Sequence, residues 1–301
     1  MMNAINPIAL DGILLLNKSE GMTSNTALQK AKRLLGAKKA GHTGSLDPLA
    51  TGMLPLCFGE ATKVCQFLLE ADKCYETTGL LGIKTNTSDA TGEIIARIDE
   101  FVVSETNLLD VLMQHTGYIK QVPSMFSALK HNGTPLYRLA REGIHIERKA
   151  REILISNLQL NAFDGKQFSL TVTCSKGTYI RNLVEDIGDA LGVGAHVTRL
   201  HRVYTSGLEN MPMYSLDELE AMAISERKAC LIPMDKAVSH LEKVTLLSDE
   251  LVLIRQGRVV TNKIGVERAD CVRLYDETAH FIGIGERNIQ GDIKAKRLLS
   301  F

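Results

Sequence analysis

Residues 41–52 read Gly-His-Thr-Gly-Ser-Leu-Asp-Pro-Leu-Ala-Thr-Gly and form the most unusual window of the chain. Three glycines permit positive φ angles and a close approach of the backbone to a ligand. Asp47 stands directly before Pro48, which favours extended or turn geometry at the aspartate. Such a loop can hold one carboxylate rigidly at a surface. A second interpretation stays open, namely an Asx turn in which Asp47 binds only its own backbone.

Other chemistries fit this window poorly. It lacks the GxxxxGK[ST] pattern of a phosphate-binding loop. Ser45 is not in a GxSxG context, which argues against a nucleophile elbow. His42 has no second metal ligand at helical spacing, so we predict no metal site.

The segments around the window alternate between strand and helix patterns. Upstream, the apolar run at residues 12–16 predicts a strand, and Thr23 or Ser24 predicts the N-cap of a helix. Downstream, we predict a helix from Glu60 to Leu69. Further along the chain, the patterns predict strands at 73–84, 93–98, 168–174 and from Val203 onward, helices at 108–113 and after Ser175, and a capping box at Ser215.

Length and composition bound the possible classes. The chain has 301 residues, 45% of them hydrophobic and 23% charged, which is typical of a globular protein. No apolar run approaches the roughly 20 residues of a membrane helix, so we expect no membrane partner. The six cysteines form no CxxC pair. We therefore interpret them as reduced thiols of a cytoplasmic protein.

Charge is distributed unevenly although 35 Lys and Arg balance 35 Asp and Glu. Residues 120–152 carry seven basic against three acidic side chains, and they show little hydrophobic periodicity. Residues 209–250 carry four basic against nine acidic side chains. The basic segments could form a shared face for phosphates, or they could be ordinary solvated surface.

Two other short windows contain candidate functional residues. Asp72-Lys-Cys-Tyr75 opens a predicted strand with an aromatic ring, and Lys176-Gly-Thr-Tyr-Ile-Arg181 places an arginine where a strand gives way to a helix. Arginine can clamp a carboxylate at two points. The alternatives are a tyrosine at the edge of the core and a surface arginine with no fixed partner.

Taken together, six ordered windows resemble the TruB family of tRNA pseudouridine-55 synthases. The resemblance runs from about Leu15 to Leu200 and is weaker through the C-terminal part. Asn17-Lys-Ser19 departs from the family's usual Asp-Lys-Pro, although neither change touches the presumed chemistry. The windows are residues 41–52, 72–75, 85–92, 123–130, 176–181 and 194–196.

This resemblance implies a mixed α/β (α+β) fold. Residues 1–244 would form a catalytic domain around a curved antiparallel sheet with flanking helices. Residues 245–301 would form a small β-rich domain similar to PUA-type RNA-binding modules. Residues 120–152 resemble a mobile thumb that closes on RNA. The implied activity is isomerisation of uridine 55 in the T-arm stem-loop of tRNA, by a monomer, with no cofactor and no metal.

The resemblance also implies roles for particular residues. Asp47 would be the catalytic nucleophile, Arg181 would pair with it, and Tyr75 would stack on the target base. His42 would contact the loop nucleotides and help to hold the uridine flipped out. The other implied substrate-binding residues are Lys18, Tyr179, Leu200 and Lys130.

Two other hypotheses compete with the isomerase. The same surface could grip and fold the T-arm of tRNA without essential chemistry. Alternatively, Asp47 could serve a small-molecule hydrolase, which would leave the basic segments unexplained. The combination of Asp47, Tyr75 and Arg181 favours catalysis, because a protein that only binds RNA needs no such trio.

Overall fold

The structure, a computed structural model, describes residues 9–261 and 270–300. The parts of the predicted domains at residues 1–8, 262–269 and 301 lie outside the described residues. The α-helices of the described ranges are α1 (Ser24–Leu35), α2 (Cys65–Glu70), α3 (Glu105–Gln114), α4 (Leu136–Arg141), α5 (Ile180–Ala190), α6 (Leu216–Ala221), α7 (Ile224–Ala229) and α8 (Ser248–Arg255).

Sixteen β-strands accompany these helices within the same ranges. They are β1 (Gly12–Lys18), β2 (Ala40–His42), β3 (Thr51–Phe58), β4 (Lys73–Leu81), β5 (Ile83–Thr85), β6 (Ile94–Arg97), β7 (Gly117–Gln121), β8 (Lys130–His131), β9 (Thr134–Pro135), β10 (Arg151–Phe163), β11 (Gln167–Cys174), β12 (Ala195–Thr205), β13 (Glu242–Thr245), β14 (Asp270–Tyr275), β15 (Phe281–Arg287) and β16 (Ile293–Leu298).

A large central sheet organises the molecule. Its strands follow the order β1-β3-β12-β4-β11-β10-β7, with β2 paired to β3. Most neighbours are antiparallel, but β12 pairs with β3 in parallel through His201–Thr51 and Arg202–Gly52. This single parallel pairing brings two distant parts of the chain together, the segment after Asp47 and the segment after Leu200.

Burial on both faces of the sheet explains the uninterrupted apolar sequence of β1. Leu14 and Leu16 belong to one core cluster with the apolar faces of α1 and α5. Ile13 and Leu15 belong to a second cluster on the other face. A strand covered on both faces needs apolar side chains at successive positions rather than at alternate ones. Each such side chain contributes about 1.5–3 kcal/mol when fully buried.

The mixed α/β fold with flanking helices and a C-terminal β domain is confirmed. The prediction of an antiparallel sheet holds for most pairings but misses the β3–β12 contact. The strand predicted from Val203 begins at Ala195. The predicted helix from Glu60 to Leu69 divides into a 3₁₀ turn, Gly59–Lys63, and α2.

Local signals predicted two helix starts correctly. The Thr23 side chain accepts a hydrogen bond from the amide of Thr26 and caps α1. Ser215 and Glu218 form the predicted capping box at α6. Each cap satisfies amide groups that a helix start otherwise leaves without a partner.

The C-terminal part contains a four-stranded sheet in the order β13-β14-β15-β16. It also contains helix α8, which the sequence patterns did not predict. Ile284 of β15 packs into the core cluster that holds Ile13 and Leu15. This sheet therefore packs directly against the large domain.

Residues 120–152 contain more regular structure than their weak periodicity indicates. They include the end of β7, the small β8–β9 hairpin, helix α4 and the start of β10. Leu136 is buried, and the Arg148 guanidinium donates to the Pro123 carbonyl at 3.0 Å. The mobility of this segment stays a prediction.

We predict that Gly52→Ala destabilises the fold more than a comparable glycine substitution. Gly52 has φ +95°, and an added Cβ would overlap the backbone carbonyl of Arg202 in the parallel pairing. Gly165 has φ +92° in the β10–β11 turn with nothing within 4 Å of an added Cβ, so Gly165→Ala is the matched control.

The control should lower the free energy of unfolding by about 1–2 kcal/mol through backbone strain alone. Gly52→Ala should lose about 1–3 kcal/mol more, because the sheet must move apart to admit the methyl group. Urea unfolding of both variants measures this difference. Equal losses would show that β3 and β12 do not approach each other as closely as described.

Candidate active site

The loop that carries Asp47 is fixed on its N-terminal side by helix α1. The Ser24 hydroxyl donates to the Leu46 carbonyl at 3.0 Å and accepts from the Leu46 amide at 2.7 Å. Ser24 and Leu46 are both buried. These two bonds immobilise the residue directly before the carboxylate.

The C-terminal side of Asp47 is held by the turn that connects β1 to α1. The Gly21 amide donates to the Pro48 carbonyl at 2.8 Å. The Lys18 ammonium donates to the Ser19 and Met22 carbonyls at 2.8 and 2.9 Å and approaches the Pro48 carbonyl at 3.4 Å. The backbone on both sides of Asp47 therefore has fixed partners.

Lys18 is only 1% exposed. It therefore stabilises the Asp47 loop from the protein interior and does not face the adjoining cleft. Burial lowers the pKa of its ammonium to about 8, although the nearby Asp47 carboxylate opposes the shift. The sequence implied a substrate-binding Lys18. In the structure Lys18 lies beside the Asp47 loop and outside the cleft lining, and its contact with a substrate stays a prediction.

Arg181 provides the hydrogen-bond partner of Asp47. Its Nε donates to Asp47 Oδ2 at 2.8 Å, with Nη2 3.5 Å from Oδ1. The Arg181 side chain is 4% exposed, whereas that of Asp47 is 39% exposed. The carboxylate thus faces the cleft while its partner is buried. The Asp47 carboxylate therefore binds Arg181, and the alternative of an Asx turn in which it binds only its own backbone does not apply.

Two further loops orient the Arg181 guanidinium. Nη1 donates to the Thr87 carbonyl at 2.6 Å, and Nη2 donates to the Phe126 carbonyl at 2.9 Å. The Asp89 carboxylate lies 3.8 Å from Nε. Arginine suits this position because its planar fork addresses several acceptors at once.

Asp89 also organises the turn from which it comes. Its Oδ1 accepts from the Thr87 hydroxyl at 2.8 Å, from the Thr91 amide at 3.0 Å and from the Thr91 hydroxyl at 2.6 Å. The turn therefore presents both a carboxylate and the Thr87 carbonyl to Arg181. The window at residues 85–92 carries part of the family resemblance, but its residues showed no role from the sequence alone.

One face of the central sheet lines the cleft beside Asp47. Tyr75 of β4 lies opposite Arg202 of β12, and Leu200 lies two residues before Arg202. Side chains two residues apart in a strand share a face, and opposite residues of paired strands do as well. Lys73 joins them for the same reason. All four side chains line a cleft of about 290 Å³ together with Asp47, Tyr179 and Arg181.

Burial in this cleft shifts the pKa values of Tyr75 and Lys73. Burial raises the pKa of the Tyr75 hydroxyl, against the opposing charge of Arg202. Burial, reinforced by Arg202, lowers the pKa of Lys73 to about 8. The Lys73 ammonium donates to the carbonyls of Leu68, Leu69 and Ala71 at the end of α2.

Tyr179 is fixed by Gln121 at the end of β7. The Gln121 side chain donates to the Tyr179 carbonyl at 3.1 Å and accepts from the Tyr179 amide at 2.8 Å. Tyr179 precedes the first residue of α5, so this amide clamp sets the position of both Tyr179 and Arg181.

Like Lys18, two other implied substrate-binding residues lie outside the cleft lining. His42 ends β2, and burial beside Arg202 lowers the pKa of its imidazole. Its Nδ1 is buried and has no hydrogen-bond partner. Lys130 is exposed on β8, in the hairpin of residues 130–135. Their contact with a ligand stays a prediction.

Sequence reasoning missed Asp89, Gln121 and Arg202. Arg202 is 1% exposed, and its guanidinium donates to the Met53 carbonyl at 2.6 Å and the Gly44 carbonyl at 3.3 Å. A buried arginine has no local sequence signature. The available signal was the alternation of β12, which places Arg202 on the same face as Leu200.

The described ranges, 9–261 and 270–300, contain neither a metal-binding cluster nor a membrane-spanning helix. No group of three or more His, Cys, Asp or Glu side chains in them could hold a metal ion. No helix in them is long and apolar enough to span a membrane.

Comparison with family models matches almost the whole chain. The model described as TruB family pseudouridylate synthase (N terminal domain) matches residues 32–180. Residues 181–239 match the tRNA pseudouridylate synthase B C-terminal domain. Residues 243–299 match the model named Pseudouridine synthase II TruB, C-terminal.

Individual proteins give the same result. The chain is 67% identical to tRNA pseudouridine synthase B of Legionella pneumophila over 97% of both chains. It is 49% identical to the protein of that name from Aeromonas salmonicida, covering 96% of this chain and 94% of the other. Among solved structures it resembles a Cbf5-Nop10-Gar1 complex, with TM-score 0.71, 27% identity and coverage of 93% of this chain and 79% of that one.

We predict that Ser24→Ala loosens the Asp47 loop. The variant removes both hydrogen bonds to Leu46, each worth about 0.5–1.5 kcal/mol. Hydrogen exchange at the Leu46 amide should therefore accelerate by about ten- to a hundredfold. Amide exchange followed by NMR measures the effect.

Thr23→Ala is the matched control, because it removes a neighbouring hydroxyl that caps α1 without touching Leu46. The control should cost about 1 kcal/mol of helix stability and leave Leu46 exchange close to that of the unmodified chain. The same exchange rate at Leu46 in both variants would contradict the pinning role of Ser24.

Proposed function

The chain belongs to the TruB family of pseudouridine synthases, which are isomerases, and we propose that it converts uridine 55 of the tRNA T-arm to pseudouridine with Asp47 as the nucleophile. The main support for the proposal is the position of the Asp47 carboxylate. It lies on a loop whose backbone is hydrogen-bonded on both sides, it pairs with Arg181, and it is accessible from a cleft beside Tyr75.

The reaction needs one well-placed carboxylate. The bond from C1′ to N1 breaks, the base turns, and C1′ joins C5 of the same base. C5 then loses its proton and N1 gains one, so all atoms balance. Positive charge grows on the sugar as the first bond breaks, and Asp47 can stabilise it or bond to it, as carboxylates do in retaining glycosidases.

Arg181 keeps the carboxylate in one orientation throughout the proposed reaction. Its guanidinium is itself held by the Thr87 and Phe126 carbonyls, so it does not have to reorganise when the sugar becomes charged. A carboxylate free to rotate would spend part of its time facing away from C1′.

The cleft walls suit a base that must detach without escaping. Tyr75 offers a flat ring for stacking, and Leu200 and Tyr179 make the remaining walls partly apolar. A site that excludes water favours recapture of the base over hydrolysis of the sugar. Partly apolar walls beside Asp47 therefore favour the isomerase over the hydrolase.

The uridine must leave the folded T-loop before it reaches Asp47, and flipping costs a few kcal/mol. Contacts between cationic side chains and phosphates can offset that cost. The segment 120–152 offers the exposed cations Lys120, Lys130, Arg138, Arg141, Lys149 and Arg151. We assign it the thumb role on this basis and assign RNA binding to the domain that follows residue 244.

The rest of the proposal follows from the chemistry. The reaction proceeds in this proposal without a cofactor or a metal ion, because the Asp47 carboxylate itself stabilises the charge that grows on the sugar. A monomer suffices, since every residue assigned to the cleft comes from this one chain. The tRNA substrate implies a cytoplasmic location.

We predict that the protein makes one pseudouridine, at position 55, in unmodified tRNA and in an isolated T-arm stem-loop. Carbodiimide treatment with primer extension maps the product, and a hairpin with an unrelated loop is the control RNA. Pseudouridine at another position, or none, would overturn the specificity. Release of free uracil would point to a hydrolase instead.

We predict that Asp47→Asn abolishes isomerisation but leaves tRNA affinity within about threefold, because the amide keeps the volume and loses the nucleophile. The single-turnover rate should fall at least about a hundredfold. Asp217→Asn, at an exposed position of α6, is the control and should keep the wild-type rate.

This variant also separates an RNA-folding activity from pseudouridine formation. A chaperone without essential chemistry would still promote tRNA folding after Asp47→Asn, whereas pseudouridine formation would be lost. An Asp47→Asn protein with the wild-type rate of pseudouridine formation would contradict the nucleophile assignment.

A further inference from the structure

Three buried hydroxyls of the described residues, those of Thr43, Ser127 and Thr205, have no hydrogen-bond partner. Of these, Ser127 is the one that lines the cleft with Asp47 and Arg181. Ser127 is only 4% exposed. A buried hydroxyl without a partner costs stability, so such a group in a cleft calls for an explanation.

The backbone around Ser127 is held on both sides. The Phe126 carbonyl accepts from Arg181 Nη2 at 2.9 Å, and the Ser127 carbonyl accepts from the Tyr137 amide at 3.1 Å. Since Arg181 Nη2 also lies 3.5 Å from Asp47 Oδ1, the residue next to Ser127 touches the guanidinium that orients the carboxylate. In this structure Ser127 therefore lies close to the reacting centre.

Two other hydroxyls of the cleft already have partners. The Ser175 hydroxyl accepts from the Leu154 amide at 2.9 Å, and the Thr178 hydroxyl donates to the Ser175 carbonyl at 2.9 Å. These groups complete the local backbone. The Ser127 hydroxyl makes no hydrogen bond within the free protein, so it can donate to or accept from a bound molecule.

We propose that the Ser127 hydroxyl hydrogen-bonds the flipped uridine and thereby positions it against Asp47. This inference rests on the proposed function and adds a specificity-determining contact to it. A hydroxyl both donates and accepts, which matches the polar edge of uracil and the ribose 2′-hydroxyl equally. Serine has one side-chain torsion, so orienting the hydroxyl towards a ligand loses little conformational freedom.

The test compares Ser127→Ala with Thr205→Val. Both variants remove an unpartnered buried hydroxyl, but Thr205 does not line the cleft. Ser127→Ala should lower kcat/KM on the T-arm stem-loop about tenfold, the effect of one lost hydrogen bond, while Thr205→Val should retain the wild-type value. The thermal midpoint of Ser127→Ala should equal or exceed that of wild type, because the alanine leaves no unsatisfied group.

Two results would overturn the proposal. The first is a wild-type kcat/KM in Ser127→Ala. The second is a loss of activity accompanied by a lower thermal midpoint, which would assign the hydroxyl a structural role. Affinity for the stem-loop is measured in parallel, so the contact is tested even if wild type were to form no pseudouridine and the proposed function failed.

A substrate with 2′-deoxyuridine at position 55 identifies the atom that Ser127 contacts. If the partner is the ribose 2′-hydroxyl, wild type and Ser127→Ala should bind this RNA equally. If the partner is the base, the deficit of Ser127→Ala should persist in full. Either result supports contact with the nucleotide, provided that Ser127→Ala binds the all-ribose stem-loop more weakly than wild type does.

Discussion

The hydrogen-bonded ion pair between Arg181 and Asp47 is the interaction on which the rest of the site depends. Its two partners come from different elements, a loop between β2 and β3 and the first turn of α5. A carboxylate and a guanidinium can share a partly buried cleft only when both are oriented and hydrogen-bonded. Ser24 and Lys18 on one side, and Thr87, Asp89 and Phe126 on the other, supply that orientation.

The parallel contact between β3 and β12 places the remaining residues around this pair. It joins Thr51 and Gly52, just after the Asp47 loop, to His201 and Arg202, just after Leu200. Because β12 also pairs with β4, Tyr75 is brought opposite Arg202. The central sheet thus forms one side of the cleft. Helix α5 and the residues around position 126 form the other side.

The sequence predicted local features well and long-range ones poorly. The glycine-rich window identified the Asp47 loop, and Thr23 and Ser215 identified helix starts, because these signals lie within a few residues of their effect. The β3–β12 pairing joins residues about 150 positions apart, and no periodicity reports the partner of a strand. Lys18 and Arg202 carry charges that sequence patterns assign to the surface, yet both are buried with backbone carbonyls as partners.

Substitution of Arg181 by lysine separates the geometry of the guanidinium from its charge, since lysine keeps the positive charge but cannot form the planar fork. Arg181→Lys should lower the single-turnover rate of pseudouridine formation by about a hundredfold, as expected for a misoriented catalytic group, with tRNA affinity and thermal midpoint close to those of wild type. A rate close to wild type would contradict the claim that the geometry of Arg181, beyond its charge, prepares Asp47 for reaction.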